Sequence, residues 1–300
     1  MSTKLAEPPF MVPPKAEWGS FIDRFREIIS DPLNLLIERT PLAGLVTVDG
    51  VILHNGHRVP HDCYYEDFTK VLALNRGVHE PLEEFVFQEL LRQLDPDQPM
   101  VMIELGAYWG HYSMWMQQAC PKTHTICIEP NANNLEIGRR NFALNGLTGE
   151  FIRSFVSKQQ FGIDAFMEER GLDSLDMLHT DIQGYELEML EGARTALERQ
   201  TIKRLFISTH SDPIHQAIIQ TVTNAGYRVD ILCDVDHETT SCDGLVVASL
   251  PDLPPLLPGF KYLGRTEICT TKADDIVRYV NDVQACRAAS PRFADLLPAE

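Results

Sequence analysis

The chain has 300 residues, of which 44% are hydrophobic, and 26 basic residues stand against 43 acidic ones, a formal net charge of -17. That composition suits one large α/β domain with an appendage and excludes collagen, coiled-coil and low-complexity architectures. The negative field repels polyphosphates, which argues against a nucleic acid partner and for a small neutral or cationic one.

Residues 1 to about 16 are proline-rich and read as loosely draped chain. Trp18 to Ile29 and Pro32 to Arg39 carry apolar residues at helical spacing. Val46 to Val59 reads as a small meander, with Asp49-Gly50 and Asn55-Gly56 as two-residue turns. His54, His57, His61 and Cys63 fall in or beside it, but their spacing matches no standard zinc site, so His54 and His57 are read as flanking a turn and no metal is expected. His79 to Leu94 is a helix, with Pro81, Glu80, Glu83 and Glu84 near its positive end and Phe85, Leu90, Leu91 and Leu94 on an apolar stripe.

From Met100 onward strand and helix signals alternate. Strands fit Met100 to Leu105, His124 to Glu129, Glu150 to Val156, Leu175 to Thr180, Lys203 to Thr209, Arg228 to Asp234 and Leu245 to Leu250. Helices fit Tyr112 to Ala119, Asn133 to Asn145, Ile163 to Arg170, Glu186 to Arg199 and Pro213 to Ala225, and Lys272 to Ala288 adds a terminal one. This predicts an α/β fold with a Rossmann-like, doubly wound, mainly parallel seven-stranded sheet. No helical pattern joins the last two strands, so the final one is expected to be antiparallel. The expected organisation is an N-terminal helical and hairpin extension over residues 1–78, a ligand-binding domain over 79–250 and a tail over 251–300.

In open α/β sheets ligands bind beyond the carboxyl ends of the strands. The first core strand runs into Glu104-Leu-Gly-Ala-Tyr-Trp-Gly110, where Gly106 and Gly110 allow backbone to approach a ligand. Glu104 stands where a dinucleotide fingerprint has its first glycine, which counts against a nicotinamide oxidoreductase and for a ligand with a cationic head group. Glu129 ends the second strand, where an acid accepts ribose hydroxyls. Together these residues suggest S-adenosylmethionine. Asp181 ends a later strand in Leu175-Asp-Met-Leu-His-Thr-Asp-Ile-Gln-Gly-Tyr-Glu186.

With these motifs the chain resembles the FkbM family of class I S-adenosylmethionine-dependent methyltransferases, in Glu104 to Tyr112, Ile128-Glu-Pro130 and Leu175 to Glu186, in order and spacing, with coverage from about His79 to Leu250. The resemblance implies that Glu104, Gly106 and Gly110 line the methionine part of the cofactor, that Glu129 binds the ribose, and that Ser154 to Ser157 flank the adenine. Ala107, Tyr108, Tyr112, Ser113, Pro130 and Phe155 complete the expected cofactor set, and Asp181 lies beside the reactive sulfur. The family usually has lysine where this chain has His179, so that histidine either assists catalysis or packs at a strand end.

The fifth strand ends in Phe206-Ile-Ser-Thr-His-Ser-Asp212, which brings His210 toward Asp181 if the fourth and fifth strands are neighbours. His210 then has two readings, a general base titrating near neutrality or an incidental neighbour of a helix cap formed by Ser211 or Asp212. Glu186 either orients the Asp181 loop or caps its own helix, and His215 reads as an exposed first-turn residue. Tyr108, Trp109 and His111 make the first loop aromatic, suited to a sulfonium, while Trp115 reads as core. Asp234 to Asp243, with Asp236, His237 and Glu238, is a candidate lid. Metal ligation by Asp181, His210 and Asp212 is disfavoured because the acids do not repeat at ligand spacing.

The expected reaction is methyl transfer to a hydroxyl oxygen of a small metabolite, such as a sugar or natural product. The alternatives are N-methylation, a nicotinamide oxidoreductase and a catalytically silent binding module. No apolar run reaches the roughly 20 residues of a membrane span, and the amino terminus, with Glu7-Pro8-Pro9, lacks a secretory pattern, so a cytoplasmic protein without a membrane partner is expected. The odd set of seven cysteines is read as reduced. The preface and tail offer surfaces for a homodimer.

Overall fold

The computed structural model describes residues 21–64, 69–234 and 243–296. The proline-rich start, the first residues of the helix expected from Trp18, and Asp236, His237 and Glu238 of the candidate lid lie outside the described residues.

Helix α1 spans Phe21–Ser30, and only a single 3-10 turn, Pro32–Leu35, follows it. The longer helix expected to Arg39 does not form. Asp31 caps the short turn by accepting the Leu33 amide, and the chain then leaves the helix to deliver Leu36 and Ile37 to the core. Strands β1 (Val51–Ile52) and β2 (Arg58–Val59) make the expected hairpin. Helices α2 (Thr69–Leu74) and α3 (Pro81–Leu91) lead to the main sheet. Every residue of α3 is buried, acids included, so burial extends beyond the expected apolar stripe and the helix is internal.

The main sheet contains β3 (Met100–Leu105), β4 (Thr123–Ile128), β5 (Glu150–Ile152), β6 (Met177–Thr180), β7 (Arg204–Thr209), β8 (Arg228–Cys233) and β9 (Gly244–Ser249), in the order β5-β4-β3-β6-β7-β9-β8. Pairing is parallel except at β9, which inserts antiparallel between β7 and β8. Crossovers are made by α4 (His111–Ala119), α5 (Ala132–Leu144), α6 (Ile163–Arg170), α7 (Glu186–Gly192), α8 (Arg194–Glu198) and α9 (Asp212–Asn224). The single helix expected from Glu186 to Arg199 is broken at Ala193, which lies between α7 and α8. Beyond Ile152, β5 loses its partner, and Val156 makes only an isolated bridge to Phe161.

Near-continuous apolar strands bury both faces of the sheet, as a parallel sheet requires. One face packs α3, α4 and the 3-10 turn together with Tyr262 and Val283, so the segments before and after the sheet share its core. Val283 belongs to α11 (Ala273–Ala289), which follows α10 (Arg265–Thr270) and precedes α12 (Phe293–Leu296). The other face packs α6 to α9. No helix among the described residues is long and apolar enough to cross a membrane.

Candidate active site

The strand order reverses at β3, which has β4 on one side and β6 on the other, and the crevice beyond these strand ends is the switch point where open sheets bind ligands. A cavity of about 230 Å³ opens there, lined by Gly106, Tyr108, Glu129, Pro130, Asn134, Phe155, Val156, Asp181, Ile182, Gln183 and Tyr185.

Gly106 has φ +72°, and a Cβ placed on it would lie 1.8 Å from the carbonyl oxygen of Asp181. Only glycine lets the loop after β3 pass this close to the loop after β6. Gly110 has φ +75°, and its Cβ would meet the Phe142 ring at 2.8 Å. Two lining residues that are not glycine, Tyr108 and Gln183, also have positive φ, at 43° and 54°, a backbone cost of the kind that gathers at ligand sites.

Glu129 accepts the amides of Tyr108 at 3.1 Å and Asn131 at 2.8 Å, which ties the end of β4 to the loop after β3. Burial raises its pKa. Phe155 and Tyr185 meet edge to face with centroids 4.6 Å apart on one wall of the cavity. Ser154, Ala107, Gly110, Tyr112 and Ser113 stand outside the cavity lining.

Glu104 also stands outside it. Its carboxylate turns beneath the loop to accept the Ser113 amide at 3.0 Å, capping the start of α4. Burial pushes its pKa up to about 7 against that hydrogen bonding. Of the loop aromatics, only Tyr108 faces the cavity; Trp109 and His111 turn inward and stack on each other at 5.0 Å, and Trp115 is in the core.

Strands β6 and β7 are neighbours, and their ends bring His210 to Asp181. His210 Nε2 lies 3.1 Å from Asp181 Oδ1 and 3.4 Å from Asp243 Oδ1, and its Nδ1 bonds Glu186 Oε1 at 2.7 Å. Burial alone would lower its pKa, but the three carboxylates override burial and push it up to about 11. The expectation of a near-neutral base is therefore corrected: in this setting the ring is an imidazolium at neutral pH. The reciprocal effect holds for Asp181, where burial raises the pKa but the bonding and charge of His210 keep it below the usual carboxylate range.

Of the two roles weighed for Glu186, the one observed is orienting the Asp181 loop, since Oε1 also accepts the Gly184 amide at 3.1 Å. Ser211 sits at the cap position of α9 without a side-chain cap bond. His215 is buried, not exposed, and its Nδ1 lies 2.8 Å from Thr209 Oγ1. His179 is buried between the rings of Tyr112 and Phe206, at centroid distances of 4.2 and 5.0 Å. Burial pushes its pKa down to about 3, so it is a neutral packed ring that does not line the cavity.

Helix α3 brings further acid toward these strand ends. Glu83 accepts the Ser208 hydroxyl at 2.8 Å and the Tyr112 hydroxyl at 3.3 Å. Burial, with the charges of Glu80, Asp181 and Asp243, holds Glu83 well above the usual carboxylate range. Nothing in the sequence signalled this contribution, because a helical acid pattern does not reveal which neighbour it meets. Asn134, Ile182, Gln183 and Tyr185 line the cavity and were likewise missed, although all four lie within four residues of predicted positions.

The sheet order, the glycine loop and the Asp181 segment define the class: an S-adenosylmethionine-dependent methyltransferase. Residues 149–229 match the family model described as Methyltransferase FkbM domain. Among solved structures it is similar to a methyltransferase FkbM from Methylobacillus flagellatus KT, with 17% identity, a TM-score of 0.39, and 60% of this chain and 65% of that one covered. It is also similar to a precorrin-6y C5,15-methyltransferase from Geobacter metallireducens GS-15, at 14% identity and a TM-score of 0.41, covering 56% and 86%. A third is the M. capricolum TrmK structure in complex with S-adenosyl-homocysteine, at 12% identity and a TM-score of 0.41, covering 68% and 97%. These likenesses are slight, and the fold rests on the strand order itself. No curated protein matches the chain.

Proposed function

We propose that the protein transfers the methyl group of S-adenosylmethionine to a hydroxyl oxygen of a small-molecule acceptor, and that the Asp181–His210 pair handles the hydroxyl proton. The observation that carries this reading is the 3.1 Å approach of His210 to Asp181 at the mouth of a cleft whose floor admits no Cβ at Gly106.

The cleft residues fit the cofactor. Glu129 keeps acceptor capacity for the ribose diol, since a carboxylate has about four lone-pair positions. Phe155 and Tyr185 offer ring surface for the adenine, and Gly106 and Asp181 border the space for the methionine portion. Bound there, S-adenosylmethionine supplies an electrophilic methyl group on a sulfonium. Asp181, kept ionised by His210, favours that cation and accepts the acceptor's proton as the new carbon–oxygen bond forms. His210 stays an imidazolium and holds Asp181, Asp243 and Glu186 in register. Holding the acceptor in line supplies most of the rate.

The net charge of -17 supports a small acceptor over a polyanionic one. A second reading, an amine acceptor, is favoured by the acids Glu80, Glu83 and Asp243 around the same strand ends. Incubation with methyl-labelled S-adenosylmethionine and panels of hydroxylated and amine metabolites decides between them. Label on oxygen supports the main reading, and label on nitrogen alone replaces it with the second. Bound cofactor with no transfer to either panel overturns both in favour of a silent binding module.

A further inference from the structure

On the far side of the glycine loop from the cleft, three buried side chains from three separate elements converge. His54 comes from the β1–β2 loop, Glu84 from α3, and His111 from the first turn of α4, directly after Gly110. One ligand-type atom from each lies within 4.8 Å of the other two. None of the three is more than 1% exposed.

The hydrogen bonding of this group is incomplete in a specific way. His54 Nδ1 lies 3.4 Å from the Glu38 carbonyl oxygen, and Nε2 is turned inward toward Glu84. Nε2 is 2.8 Å from Glu84 Oε2, so the two side chains pair with each other at the centre of the group. The other oxygen of Glu84 is occupied, accepting the amides of His79 and Glu80 at 2.8 and 3.0 Å. Both ring nitrogens of His111 are buried and without a hydrogen-bond partner, while its faces are held by Trp109 and by the edge of His79. Buried polar atoms are normally satisfied, and here both nitrogens of His111 are left over beside the His54–Glu84 pair, within 4.8 Å of it.

We propose that His54, Glu84 and His111 bind one divalent transition metal ion, with zinc as the preferred occupant. Two imidazoles and a carboxylate are a donor set that zinc accepts, with a fourth position left for water. Adjacent ligands on tetrahedral zinc sit about 3.3 Å apart, so atoms within 4.8 Å of one another need close by about 1.5 Å at most. The Glu38 carbonyl plays the usual outer role of fixing a ligating histidine's tautomer. A separate cavity of about 430 Å³, lined in part by His54, Glu38, Gln88 and Trp115, provides a route for the ion.

The ion joins the amino-terminal hairpin, α3 and the start of α4, so its role is to clamp the extension onto the loop that carries Gly106 and Gly110. His57, His61 and Cys63 lie near His54 in the sequence at spacings that match no standard zinc site, and His61 Nε2 is 3.0 Å from the Thr47 carbonyl oxygen at an exposed position. The true companions are distant in sequence, where spacing rules do not reach.

The full chain is stripped with chelator, reloaded with zinc, passed through gel filtration and assayed for metal, and its melting temperature is followed through the cycle. The expected result is about one equivalent of zinc per chain, a fall in melting temperature on stripping and recovery on reloading. His111→Gln, checked for folding by its circular dichroism, is expected to retain under about a tenth of an equivalent. Cobalt loading is expected to give ligand-field bands without a thiolate charge-transfer band. Zinc below about a tenth of an equivalent in the wild type, unchanged metal in folded His111→Gln, or a thiolate band from the cysteines overturns the proposal.

Discussion

Nδ1 of His210 lies 2.7 Å from Oε1 of Glu186, and this bond links the end of β7 to the first turn of α7 across the mouth of the cleft. It aims the opposite nitrogen at Asp181 and Asp243 and makes the ring strongly basic. The consequences for catalysis and stability separate cleanly.

For catalysis, His210→Gln removes the cation that keeps Asp181 ionised and oriented. The rate constant for methyl transfer is expected to fall about 10²- to 10⁴-fold, while S-adenosylhomocysteine affinity changes by no more than about threefold. Single-turnover kinetics with calorimetry on the same variant checks both.

For stability, the pKa of His210 is raised to about 11 in the folded chain, from about 6.5 when unfolded. Below about 6.5 both states hold the proton and the contribution is fully present. As pH rises from there toward 11, the folded state alone keeps the proton, and the contribution is lost. Urea unfolding of the wild type and His210→Gln at about pH 6 and about pH 9 is expected to show a gap that shrinks at the higher pH.

Glu104 is assigned a capping role under the glycine loop, so its shape and hydrogen bonding matter more than its charge. Glu104→Ala leaves the buried Ser113 amide unpaired and is expected to cost about 1–3 kcal/mol. Glu104→Gln, which keeps an acceptor oxygen, is expected to cost less than half as much. Denaturant unfolding of the two variants at pH 7 checks the order.

His179 is sandwiched between Tyr112 and Phe206 with neither ring nitrogen hydrogen-bonded. His179→Phe keeps the ring stack and removes two unsatisfied buried atoms, so stability is expected to be unchanged or raised by about 1 kcal/mol. Methyl-transfer rates are expected to stay within about threefold of the wild type. A loss of about 100-fold in a stable variant returns the catalytic reading to this residue.

These cases show what the sequence could and could not reveal. The parallel core was legible because apolar strands and helical periods alternate from Met100 to Leu250, and the missing helix before β9 exposed its reversal. The approach of His210 to Asp181 followed from placing both at the ends of adjacent strands. What was not legible depends on distant partners. Nothing local distinguishes Glu83, which meets Ser208, from Glu84, which meets His54 and His79, or from a solvated helix acid. The pKa of His210 depends on carboxylates from three segments, and the direction in which Glu104 points depends on the start of α4 folding back over it.

The central claim, that the crevice between the loops after β3 and β6 holds S-adenosylmethionine, is tested most directly by isothermal titration of the wild type and Gly106→Ala with S-adenosylhomocysteine. The account predicts one site on the wild type with a Kd on the order of 10 μM. It predicts no measurable heat from Gly106→Ala, whose Cβ must push away the Asp181 carbonyl at 1.8 Å. Absence of binding to the wild type at about millimolar ligand, or undiminished binding to folded Gly106→Ala, contradicts it.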